Sequence, residues 1–135
     1  MDELTSGMAM RVARPTRDLA TAVRFYHDLL GLPVLGSFED HDGFSGVILG
    51  LPDAKRQLEL VASQDASPQP TAEDQLVLYL GTDEGVASAA ARLEQAGFEP
   101  RRSPNPYWAK AGAACFVDPD GYWLVLSPQS WTGDR

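Results

Sequence analysis

The sequence predicts an α+β protein built of two βαβββ modules, and three observations carry that reading. A strand, a turn and a capped amphipathic helix stand in unbroken order from Arg11 to Gly31. The same order restarts near residue 75, after a polar stretch that holds two prolines. In both halves short strands, punctuated by Gly, Pro and Asp, follow the helix.

The first strand is set by the alternation around Met10 and Val12 and is stopped by Pro15. Thr16 or Asp18 can accept the free N–H groups of a helical first turn. Leu19, Ala22, Val23, Tyr26, Leu29 and Leu30 then recur at helical spacing, and Gly31 offers a left-handed C-terminal cap. Leu32 to Phe38 forms a second strand. Asp42-Gly43 is a strong hairpin signal into a third, Phe44 to Leu51. Arg56 to Val61 is the fourth, with strict alternation over Gln57, Leu58, Glu59 and Leu60. Module one is thus assigned to residues 8–62, a surface linker to 63–74 and module two to 75–127, all within one domain. Module two is expected to contain a strand at Leu76 to Leu80 and a helix capped by Asp83 and closed by Gly97. A short strand at Phe98 to Arg101 and a loop from Ser103 to Pro106 should follow. Ala113 to Val117 and Tyr122 to Ser127 complete it, joined by the Asp118-Pro119-Asp120-Gly121 turn. Each sheet should cover one face with its helix and leave the other to line something.

Formal net charge is −8, from 19 acidic and 11 basic side chains, which opposes binding to nucleic acid or to anionic lipid. A neutral or cationic ligand is the easier partner. No apolar run reaches the roughly 20 residues of a membrane span, and MDELTSG lacks the basic and apolar regions of a signal peptide. A cytoplasmic location is expected. The lone Cys115, set in AACFV, excludes an internal disulfide and reads as a buried, small apolar side chain.

RDLATAVRFYHDLLGLPV, the single acid in QLEL and the closing CFVDPDGYWLVLSP together resemble the vicinal oxygen chelate superfamily. Those are the glyoxalase, bleomycin resistance and extradiol dioxygenase proteins. The resemblance spans most of residues 10 to 127. It implies paired βαβββ modules in a curved mixed sheet around a groove, with helices on the outer face, and a homodimer or domain-swapped dimer. It also implies a divalent ion held by one side chain from the first and one from the fourth strand of each module. Carried over position by position, those sites fall on Arg11, Glu59, Gln75 (or Leu76 if the register slips) and Val125. Only Glu59 matches. Arginine and valine offer no lone pair to a metal, so no metal and no other cofactor is expected.

Alternation aims Gln57 and Glu59 at the open face of the sheet, with Arg11 on the neighbouring strand. The Arg11 guanidinium is therefore expected to stand where the family places its cation and to pair with Glu59. His27 lies off the helix's apolar stripe and reads as a solvated surface residue. His41, among Glu39, Asp40 and Asp42, sits at a hairpin tip where consecutive residues rarely converge on one ion. No Ser-His-acid or Cys-His set is evident. Phe38, Asn105, Tyr107, Trp108 and Trp123 are the candidates for stacking on a flat or apolar ligand. With Arg11, Gln57 and Glu59 they make the expected ligand-binding set. The functional expectation is a metal-independent small-molecule binding protein suited to a neutral or cationic aromatic ligand. The alternative is a lyase, isomerase or dioxygenase-like enzyme, metal-dependent with displaced ligands or metal-free with Glu59 as base. A third possibility is an interaction module whose open face is filled by its own Trp108 and Trp123.

Overall fold

In a computed structural model, residues 4 and 7–131 are described. The chain divides into two compact units, Met1–Pro68 and Gln69–Arg135.

Unit one contains β1 (Met10–Pro15), α1 (Leu19–Val23) continuing as a π-helical segment (Arg24–Leu29), β2 (Val34–His41), β3 (Phe44–Gly50) and β4 (Arg56–Ser63). The sheet order is β1-β4-β3-β2. β1 lies parallel to β4, and the other pairs are antiparallel. Asp18 is the cap, its carboxylate accepting from the Thr21 N–H at 3.2 Å, while the hydroxyl of the buried Thr16 donates to the Asp18 carbonyl and accepts from the Asp18 N–H. Gly31 closes the helix at φ +98, and its neighbour Leu32 donates back to the Tyr26 carbonyl at 3.0 Å. That is the left-handed glycine cap expected from sequence.

Periodicity alone did not reveal the π turn. Leu30 N–H reaches the Phe25 carbonyl, five residues back, so the widened turn seats both Phe25 and Tyr26 in the core. Their rings meet edge to face, 4.8 Å between centroids. They pack with Ala22 and Leu30 and with the sheet side chains Leu49, Leu58 and Leu60 as the buried core of this unit. The Asp42-Gly43 hairpin forms as expected, with both residues at positive φ and His41 paired to Phe44.

Unit two contains β5 (Gln75–Tyr79), α2 (Asp83–Gln95), the single-turn α3 (Tyr107–Lys110), β6 (Ala114–Val117) and β7 (Trp123–Ser127). Its sheet has three strands, β5-β7-β6, with β5 parallel to β7. Four local expectations are corrected. The cap of α2 is Thr82, whose hydroxyl accepts from Gly85 N–H at 3.0 Å, and Asp83 is the first helical residue. His27 is half-buried and donates from Nδ1 to the Leu32 carbonyl at 2.7 Å, so it closes its own helix instead of standing free in water. No strand forms at 98–101: Pro100 carries no N–H to donate to a ladder, although Arg101 N–H does reach the Cys115 carbonyl of β6. The stretch after Pro106 is helical, started by the Asn105 side chain accepting from Tyr107 N–H at 3.0 Å.

Val86, Ala89, Ala90 and Leu93 make the buried face of α2. Phe116, Leu124 and Leu126 are fully buried sheet side chains of the same unit. No helix among the described residues is long and apolar enough to cross a membrane.

Candidate functional site

In unit one the ladder decides which side chains share the uncovered face. Arg11 pairs with Gln57 and Ala13 with Glu59 across β1 and β4, and Ile48 pairs with Glu59 across β3 and β4. Phe38 pairs with Gly46, which is itself opposite Val61. Partners across a ladder point the same way, and every second residue does too, so Arg11, Gln57, Glu59, Ile48 and Phe38 lie on one face. Leu58 and Leu60 lie on the other, buried.

Three of these side chains are tied together. Arg11 Nε donates to Gln57 Oε1 at 2.9 Å, and Arg11 Nη1 reaches Glu59 Oε1 at 3.3 Å. Gln57 uses its amide N–H on the Ala54 carbonyl at 2.7 Å, which fixes its oxygen toward the guanidinium. The side chain of Arg11 is 46% exposed and that of Glu59 only 16%. The cation is thus the wetter half of the pair. Gly46 shapes the same face, because a Cβ there would stand 2.5 Å from Phe38 Cζ, so the aromatic ring occupies the space a side chain would take.

Unit two solves the equivalent face differently. Gln75 pairs with Trp123 and Val77 with Val125, so the register is settled with Gln75, not Leu76, on the face of Trp123 and Val125. Trp108, carried there by α3, packs on Val125, Cys115, Val77, Ala113 and Trp123 and is 7% exposed. Its Nε1 donates to Gln75 Oε1 at 3.1 Å. The open face of this sheet is filled by the protein's own indole. Tyr107, one residue earlier, stays half-exposed and meets Trp108 edge to face at 5.0 Å. Asn105 is exposed beside it and, with Gln75, Glu73, Ala72 and Pro104, lines a mixed hollow of about 280 Å³. Burial raises the Cys115 thiol above its ordinary pKa of 9.0, an effect partly offset by a backbone hydrogen bond from Ser103.

The four positions at which the superfamily holds its metal do not fit one here. Arg11 is a cation, Glu59 is engaged by it, the Gln75 oxygen accepts from Trp108, and Val125 is a fully buried hydrocarbon. Among the described residues no group of three His, Cys, Asp or Glu side chains is placed to hold a metal ion, the His41 turn included.

The order β1-β4-β3-β2, with one parallel and two antiparallel pairs, and a second, shorter repeat of it define a glyoxalase-like α+β protein of the vicinal oxygen chelate superfamily. Residues 10–61 match the YycE-like N-terminal domain and residues 73–128 the YycE-like C-terminal domain; the chain belongs to the YycE-like family. It is 36% identical over 119 residues to the uncharacterized protein YycE of Bacillus subtilis (strain 168), covering 87% of this chain and 85% of that one. A crystal structure of a YycE protein of unknown function from Bacillus subtilis, named as a candidate glyoxalase/fosfomycin resistance protein, superposes with a TM-score of 0.86. It shows 32% identity over 94% of this chain and 93% of that one. Two more distant structures share the fold alone. Leishmania major glyoxalase I has a TM-score of 0.70 and 21% identity, over 92% of this chain and 88% of that one. TnmS3, an antibiotic binding protein from Streptomyces sp. CB03234, has a TM-score of 0.67 and 24% identity, over 90% and 94%.

Proposed function

We propose that this protein binds a small molecule, of neutral or cationic aromatic character, and that it does so without a catalytic metal. The observation that carries the reading is the Arg11–Gln57–Glu59 cluster, in which a guanidinium lies against the one carboxylate the superfamily's ligand pattern leaves in place. A fixed cation there supplies the positive charge that a carboxylate on a half-dry sheet needs. It leaves Phe38 and Ile48 beside it as apolar surface for a ligand. TnmS3, of the same fold, is named for binding an antibiotic, which makes binding without turnover a natural use of this scaffold.

An acid–base enzyme is the rival, with Glu59 as the base. Arg11 lies on Oε1 of that carboxylate, so a substrate proton would be taken by Oε2. Elemental analysis of protein purified without chelator, followed by thermal shifts with EDTA and with added divalent ions, separates the readings. The binding reading expects no stoichiometric metal, no EDTA effect and a stabilising shift from at least one compound in a screen of cationic aromatics. One metal per chain with stability lost to EDTA would overturn it. We also propose a homodimer, supported by exposed Met10 and Val12 on β1, which is an edge strand of its sheet. Light scattering after size exclusion tests that point.

A further inference from the structure

Beyond the Arg11 cluster, unit two holds a cleft of about 330 Å³ lined by Tyr79, Tyr107, Gln129, Ser130 and Trp131. The fold builds it from three separate places. Tyr79 ends β5, Tyr107 begins α3, and Trp131 follows β7. The segment after β7 does not leave the sheet at once: Leu80 N–H donates to the Ser127 carbonyl at 2.8 Å and Gly81 N–H to the Gln129 carbonyl at 3.2 Å, so it runs on beside the exit of β5. Gly81 lies at φ +84, where a Cβ would meet Ser130 Oγ at 3.2 Å, and only a glycine lets the two segments lie this close without strain. Three partly exposed aromatic rings are thereby gathered around one opening.

Part of the polar chemistry of the lining is already used. Gln129 Nε2 donates to the Tyr107 hydroxyl at 3.1 Å, and its Oε1 accepts from Ser127 Oγ at 3.1 Å. No lining residue carries a charge of either sign, in a chain of net charge −8. An anion finds no cation here. A primary ammonium would exchange its hydrogen bonds to water for a cleft that offers only neutral hydroxyl and carboxamide acceptors and no carboxylate. A cation with no N–H to satisfy loses nothing of that kind and gains the negative faces of the rings.

We infer that this cleft is a recognition site for a methylated, quaternary ammonium group. This is a second site, within unit two, that goes beyond the small-molecule reading of the Arg11–Glu59 face and does not use that pair.

The test is an NMR titration of the full chain with three probes of similar size: choline, its neutral carbon analogue 3,3-dimethylbutan-1-ol, and ethanolamine. The Trp131 indole N–H and the probe's own methyl protons are read. Choline should saturate in the millimolar range, at least about tenfold tighter than either other probe, with its methyl protons moved upfield by the rings. Trp131→Ala, beyond the last strand, should lose that binding while the remaining spectrum is unchanged; Trp131→Phe should retain part of it, and Tyr79→Leu should weaken it. Glu59→Gln should leave it untouched, which separates failure of this site from failure of the unit-one reading. Equal affinity for the neutral analogue would make the cleft merely apolar, and equal affinity for ethanolamine would reduce the effect to general attraction by an acidic protein. Either result, or choline binding that survives Trp131→Ala, overturns the inference.

Discussion

Removing the two halves of the Arg11–Glu59 pair one at a time should give unequal losses, with the cation the costlier to remove. At 3.3 Å two unit charges attract by roughly 1.3 kcal/mol in bulk water and about 5 kcal/mol at an effective dielectric of 20. Arg11 is 46% exposed, so screening and side-chain entropy bring the net coupling down to about 0.5–1 kcal/mol. The asymmetry lies in what is left behind. Glu59→Gln strands a guanidinium that can turn into water and keeps its bond to Gln57, for a loss of about 0.5 kcal/mol or less. Arg11→Met strands a carboxylate that is only 16% exposed, between β1 and β3, and should cost about 1–2 kcal/mol. Urea unfolding of both single variants and the double variant, in about 0.05 M and about 1 M salt, measures each term. The coupling should shrink at high salt. A larger loss from Glu59→Gln than from Arg11→Met, or a coupling indistinguishable from zero in low salt, would refute the account of a half-dry carboxylate held by a wet cation.

Gly46→Ala should destabilise by about 1–3 kcal/mol, since the new methyl would press on the Phe38 ring and lie 3.0 Å from the Leu60 carbonyl; adding Phe38→Leu should recover part of it in the same urea assay. Trp108→Phe should cost about 2–4 kcal/mol through the lost indole volume and the orphaned Gln75 oxygen, and thermal unfolding with no drop in melting temperature would contradict the packed-indole description. Thr82→Ala should cost about 1 kcal/mol of helix capping, with Thr82→Asp close to neutral, as read by circular dichroism melts. Cys115 should react slowly with a disulfide reagent in the native protein and quickly in urea. Its raised thiol pKa also favours the folded state only while the thiol is neutral, so that contribution is complete below the unfolded pKa and is lost as pH rises through the folded value; Cys115→Ala should flatten the decline of the urea midpoint on the alkaline side.

Local chemistry was legible where it acts locally. Asp18, Gly31, Asp42-Gly43 and the alternation of QLEL each dictate a cap, a turn or a facing from neighbouring residues, and the structure follows them. Facing in turn put Arg11 and Glu59 on one side of the sheet, the part of the candidate site that could be read ahead. What escaped depends on distant neighbours. The π turn answers the need to bury Phe25 beside Tyr26, which a fixed helical period hides. Trp108 looked available for stacking on a ligand because it follows a Pro/Asn-rich loop, whereas one turn of helix carries it onto Val125. A signal for that turn existed: Asn105-Pro106 is an Asx acceptor followed by a residue already fixed at helical φ. The cleft of Tyr79, Tyr107 and Trp131 left no sequence signature, since its members come from three segments brought together by the parallel run beside β5.

The two ladders carry matching steps, Arg11 opposite Gln57 in one and Gln75 opposite Trp123 in the other, yet the first is polar and open and the second is plugged by an indole. A repeated fold of this kind divides its labour. The plugged copy has its freedom to vary curtailed, because any change at Val125 or Trp108 disturbs a dry interior. On the open copy, partly exposed side chains such as Phe38 can be exchanged at smaller expense to folding, provided the Arg11–Glu59 pair is kept. Diversification at this sheet face should therefore accumulate on the first half of the chain, while the matching face of the second half stays fixed by its own core.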